Sequence, residues 1–226
     1  MNITTGKLYR KAMLILVLAS CIGDVIAQGL PVSGVWLAKI EHGIPSEPEL
    51  ISSIDRYNNQ PMFSPDGTAV FFTAEQADGQ TDIARYDIRN GALSLVSQSP
   101  ESEYSPTPIP GEDAVSVIRV ELPDQAQKLW SLPLSEGIER SLTPNVEPVG
   151  YHAWIDQERI AVFILGESFT LQLARTGDEP STLLADNIGR TIRRHPDNKS
   201  VLFVDKNTSP WTIASLNPDT RSQTKI

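Results

Sequence analysis

Four times along the chain, a polar stretch of turn-forming residues gives way to a short run of apolar, β-prone residues. Ser64-Pro65-Asp66-Gly67 precedes AVFF at 69–72, and Pro110-Gly111-Glu112-Asp113 precedes AVSVI at 114–118. Asp156-Gln157-Glu158-Arg159 precedes IAVFI at 160–164, and His195-Pro196-Asp197-Asn198 precedes SVLFV at 200–204. Asp, Asn and Gly tolerate tight turns. Apolar runs this short, bounded by turn signals, predict strands buried on both faces. Laid beneath one another without gaps, residues 63–72, 108–117, 154–163 and 194–203 recur at steps of 45, 46 and 40 residues. A third strand is predicted in each unit, at 82–86, 128–132, 170–174 and 211–216, and a short fourth at 93–96, 141–143 and 182–184. The last unit reaches only Ile226, at the place of its fourth strand.

A repeat of 40 to 46 residues holding four short strands predicts the blade of a β-propeller, an all-β fold of four-stranded antiparallel sheets in radial array. No sustained 3.6-residue apolar period runs through residues 30–226, and 17 prolines argue further against long helices. Ahead of the first full unit, residues 35–40 read as a third strand and 49–52 as a fourth, a half-blade over 33–52. The expected blades are 58–98, 103–144, 150–186 and 190–226. Four and a half blades are expected to be part of a larger closed ring, six-bladed by preference, with an open arc completed by a partner as the alternative.

Ser64-Pro65-Asp66-Gly67, with Pro61 before it, resembles the TolB-like (also WD40-like) β-propeller repeat, as does Thr81-Asp82-Ile83-Ala84-Arg85-Tyr86-Asp87 followed by Gly91. Only the first blade carries the motif in full. The fourth keeps Pro196-Asp197 with Asn198 in the glycine position, the second has Pro110-Gly111, and the third replaces it with Asp156-Gln157. The resemblance covers residues 33–226 and implies a fold. It implies a task only loosely, since TolB-like propellers serve as periplasmic interaction modules, as sensor domains and as gates ahead of serine peptidases.

The first 27 residues follow other rules. Lys7, Arg10 and Lys11 precede an uncharged run over 12–23 that is too short to span a bilayer, so a signal peptide is expected. Val25-Ile26-Ala27 suits cleavage before Gln28, while Leu18-Ala19-Ser20-Cys21 resembles a lipoprotein signal that would make Cys21 a lipidated N-terminus. Either route predicts a periplasmic, secreted or lipid-tethered protein with no transmembrane segment in the mature chain. A formal net charge of -9 disfavours nucleic-acid binding. Cys21 is the single cysteine, which leaves no disulfide framework.

Catalytic machinery is not recognisable. Gly166-Glu167-Ser168 lacks the second glycine of a nucleophile elbow, and His42, His152 and His195 are scattered with no metal-ligand spacing. No catalytic, metal or cofactor-binding residue is expected. One constellation stands out: the innermost strand of each blade lines the central channel, and its entrance brings together Asn59 and Gln60, Tyr104 and Ser105, Tyr151 and His152, and Arg190 with Arg193. These groups could hold a small polar or anionic ligand or a protein end. They could equally hydrate a water-filled channel. Trp36, Trp130, Trp154 and Trp211 could form a sugar-stacking surface, but three of them lie in or next to third strands, where packing between blades is expected instead. The leading expectation is an exported, non-enzymatic propeller acting as a binding or scaffold module. The alternatives are a propeller accompanying a hydrolase segment outside this chain, or a propeller enzyme acting on glycans or lactones.

Overall fold

A computed structural model describes residues 29–226; the expected signal segment and Cys21 lie outside the described residues. Among these, all regular secondary structure is β. Four four-stranded antiparallel sheets follow one another in sequence, each meandering from an inner to an outer strand. The first holds β5 (Asn58–Phe63), β6 (Ala69–Glu75), β7 (Thr81–Asp87) and β8 (Leu93–Leu95). The second holds β9 (Ser102–Pro108), β10 (Ala114–Glu121), β11 (Ala126–Pro133) and β12 (Arg140–Ser141). The third holds β13 (Val149–Trp154), β14 (Arg159–Ile164), β15 (Thr170–Arg175) and β16 (Thr182–Ala185). The fourth holds β17 (Ile188–Arg194), β18 (Val201–Asp205), β19 (Thr212–Leu216) and β20 (Gln223–Lys225). The four sheets are the blades of a propeller. The last blade is complete to its fourth strand, since β20 pairs with β19 through Leu216 and Gln223.

Before them, β1 (Trp36–Leu37) pairs with β4 (Glu49–Leu50), giving the expected half-blade a shorter ladder than the apolar letters suggest. Between these lies a hairpin that the repeat did not foretell, β2 (Ile40–Glu41) with β3 (Ile44–Pro45). Its turn rests on His42 and Gly43, both with positive φ.

The core lies between blades because successive strand residues face opposite sides. On β6, Val70 and Phe72 pack toward the half-blade with Val35 and Ile51, while Phe71 packs with Val115 and Val117 of the next blade. On β14, Ile160 and Val162 join Ile118 and Leu129 of the second blade, whereas Ala161 and Phe163 join Val201 and Phe203 of the fourth. That is why each second strand is apolar without alternation. Trp154 is buried in this packing and Trp130 is half-buried beneath Arg119, but Trp36 and Trp211 are more than half exposed. Inter-blade packing therefore accounts for two tryptophans, and the edge positions of the other two leave them in solvent.

The turns are pinned by carboxylates. Asp66 accepts hydrogen bonds from the Ser64 hydroxyl (2.6 Å) and the Thr68 amide (3.1 Å), which hold its pKa down at about 2. Asp197 accepts the amides of Lys199 and Ser200, both at 2.8 Å. One ion pair within the second blade is buried: Arg119 of β10 donates to Glu103 of β9 at 2.9 Å, and also to the more exposed Glu139 at 2.7 Å.

Candidate functional site

All four inner strands break register at the same level. The irregularity falls between Asn59 and Met62 on β5, across Ser105 and Pro106 on β9, at Gly150 on β13 and over residues 189–191 on β17. Each bulge has a local cause. Pro61 and Pro106 bring no N–H to the ladder. Gly150 and Gly189 sit where an added Cβ would meet Phe163 at 3.0 Å and Val204 at 2.8 Å. A bulge leaves an extra residue unpaired and re-aims side chains. Here it turns the polar residues of four blades into one space.

That space is a cavity of about 280 Å³. Seven of the eight residues singled out from the sequence line it, namely Asn59, Gln60, Ser105, Tyr151, His152, Arg190 and Arg193, with Thr107 and Thr191 beside them. The eighth, Tyr104, lies in an adjoining hollow of about 480 Å³ together with Tyr57, Gln125 and Gln127. Gln60, Tyr151 and Arg190 line both. Neither hollow is lined by a carboxylate, and no carboxylate pairs with Arg190 or Arg193 among the described residues. A larger hollow of about 740 Å³ opens at the turn ends of the first two blades. There Asp66 is engaged within its own turn and Glu112 with Arg140 at 2.8 Å.

The mouth is built on strained and buried groups. Gln60 and Ser105 hold left-handed φ angles of 57° and 56°, unusual for residues with a Cβ. The Gln60 Oε1 accepts from the Thr73 hydroxyl (2.9 Å) and from the Ser105 amide (3.1 Å), tying the first two blades together. Deeper in, His152 is 4% exposed and its Nε2 stands 2.6 Å from the Ser116 Oγ. The same oxygen accepts from the Trp154 indole N–H at 2.8 Å and faces the Thr107 carbonyl at 3.0 Å. A hydroxyl has one hydrogen and two lone pairs. All three contacts are satisfied when Ser116 donates to Thr107 and accepts from Trp154 and from a His152 Nε2–H. A neutral His152 then carries a bare lone pair on Nδ1, and that atom has no partner within the chain; neither has the Ser105 hydroxyl. Burial, and then the charge of Arg193, depress the His152 pKa to about 3, in keeping with a neutral ring.

Sequence reasoning missed Tyr57, Thr107, Ser116, Gln125 and Gln127. Tyr57 could have been found from its place just before the first inner strand. Ser116 was hidden inside an apolar run, and Gln125 and Gln127 belong to a hairpin whose direction no local pattern reveals. His42 lies in the exposed β2–β3 turn and His195 beside Asp197, away from the mouth. Ser168 lies in the exposed β14–β15 connection. Among the described residues no group of three or more His, Cys, Asp or Glu could hold a metal ion. Nor is any helix there long and apolar enough to cross a membrane.

Fold and cavity together define a β-propeller with an arginine-bearing channel mouth. Its blades have the arrangement of the TolB proteins: the structure of TolB from Acinetobacter baumannii matches with a TM-score of 0.62 at 15% identity over 84% of this chain. This chain spans 51% of that TolB. A puromycin-hydrolyzing peptidase from Mycobacterium tuberculosis matches with a TM-score of 0.59 at 14% identity, over 79% of this chain and 30% of the peptidase. An oligogalacturonate lyase in complex with manganese matches with a TM-score of 0.52 at 12% identity, over 88% of this chain and 74% of the lyase. No family model matches the chain, and no curated protein does.

Proposed function

We propose that this chain is an exported, non-enzymatic β-propeller that serves as a binding module of the cell envelope, with the channel mouth as its recognition site. One observation carries the reading. Four blades converge on a cavity whose buried polar atoms, His152 Nδ1 and Ser105 Oγ, have no partner within the chain. Leaving a buried polar atom unmatched costs about 1–3 kcal/mol, a cost that a bound group able to reach it would offset. The two arginines without carboxylate partners point the same way. The signal-like segment at 1–27, with Cys21 as a lipid-anchoring alternative, supports export and an envelope location, as does the likeness in fold to TolB. The propeller's likeness to that of a puromycin-hydrolyzing peptidase favours a second reading, in which it gates a hydrolase segment outside this chain.

The test is site-specific photo-crosslinking from Thr191, which lines the mouth and is exposed. In the exporting cell, a discrete adduct from Thr191 that disappears in Arg193→Ala is the expected result. Adducts that form equally with and without Arg193 would remove the mouth as the recognition site.

A further inference from the structure

The mouth and the hollow beside it are one continuous surface. Arg190, Gln60 and Tyr151 belong to both, Arg193 only to the mouth, and Tyr57 and Tyr104 only to the hollow. The two halves differ in chemistry. The mouth carries two guanidinium groups and no acid, within a chain whose formal net charge is -9. Guanidinium groups suit planar carboxylates and phosphates, which they bind with paired N–H donors. The hollow carries phenols and amides and no charge other than Arg190. Its tyrosines sit close enough for Tyr104 and Tyr151 to act on the Tyr57 hydroxyl, whose pKa is raised by burial first and by these neighbours after it. Phenols and side-chain amides both donate and accept, which suits a body bearing several hydroxyls.

His152 chooses between the two anions. Its Nε2–H is committed to Ser116 and its buried Nδ1 is an acceptor without a partner, so a ligand group that reaches this ring must be a donor. A phosphate monoester is largely a dianion at neutral pH and brings few hydrogens to donate. A hydroxyl carried next to a carboxylate brings one.

We propose that the mouth and the tyrosine hollow form one bipartite site for a hydroxylated organic carboxylate of the uronic-acid type. Arg193 and Arg190 take the carboxylate, and Tyr57, Tyr104 and Tyr151 face the hydroxylated body. This deepens the reading of the mouth as a recognition site and rests on it.

The experiment is isothermal titration calorimetry of the exported chain with glucuronate, glucose and inorganic phosphate at one fixed ionic strength. Glucuronate is expected to bind at least about tenfold more tightly than either glucose or phosphate, the margin of one charge-assisted anchor. Arg193→Gln should lose about tenfold for glucuronate with little change for glucose. Tyr104→Phe should lose about threefold for both sugars. Arg194→Gln, on the same strand but lining neither hollow, should match the unmodified chain, and circular dichroism should show every variant folded. Equal affinity for glucose, phosphate binding as tightly as glucuronate, no saturable glucuronate binding, or an unchanged Arg193→Gln would each overturn the proposal. The crosslink from Thr191 separates the two failures. If it still depends on Arg193 while glucuronate fails, the ligand class is wrong and the recognition mouth stands. If it too ignores Arg193, both fall.

Discussion

His152 carries a stability cost as well as a site. Its neutral form is held by burial, so the folded chain takes up a proton at about pH 3, whereas the unfolded chain does so near pH 6.5. Between those values the unfolded state binds the extra proton, and stability falls as pH falls. The loss is complete near pH 3 and on the order of 3–5 kcal/mol for this one group. Asp66, held near pH 2, adds a loss of the same sign at lower pH; Asp82 and Glu103, both raised mainly by burial, act in the opposite sense. Urea unfolding at pH 6 and pH 4 should therefore show His152→Gln losing less stability across that interval than the unmodified chain, although it starts lower at pH 6. Equal losses would mean that His152 titrates normally. Ser105 offers the complementary case. Its left-handed backbone suits glycine, so Ser105→Gly should be as stable or up to about 1 kcal/mol more stable, by thermal melting, while losing the mouth's hydroxyl.

At the level of the strands, the inter-blade packing assigns a cost to each apolar position. Phe71, between the first two blades, and Phe163, between the last two, are almost wholly buried, and replacing either by alanine should cost about 3–5 kcal/mol in chemical denaturation. Glu103→Ala should cost a similar amount, because it leaves the buried Arg119 without its buried partner. The apolar second strands were plain in the sequence because both of their faces are covered, which erases alternation and leaves runs such as AVFF and IAVFI. The inner-strand bulges were not legible, although their agents, Pro61, Pro106, Gly150 and Gly189, stand in the sequence. A proline or glycine in a strand marks an irregularity without saying which way the side chains turn. The β2–β3 hairpin was missed for a related reason: Ile40 and Ile44 are exposed, so no buried face imposes a period on them.

For the whole molecule, the repeat fixes where the inner strands must lie, and of the eight residues singled out on that placement seven line one cavity. What the repeat could not supply was the company those residues keep. Ser116, Thr107 and Trp154 fix the tautomer of His152, and they come from two blades whose packing only the folded chain displays. The mouth's positive charge likewise emerges only on folding, since Arg190 and Arg193 sit in a chain that is acidic overall. The most direct measurement of this recognition mouth is imidazole-ring NMR of the exported chain, which has three histidines. At pH 5 the ring of His152 should be neutral with its proton on Nε2. Adding glucuronate should shift the His152 resonances and raise the pH at which it titrates, because the anion offsets the charge of Arg193, while His42 and His195 stay unchanged. A His152 ring that is protonated at pH 5, or that ignores the anion while the other two respond, would contradict a recognition site at the channel mouth.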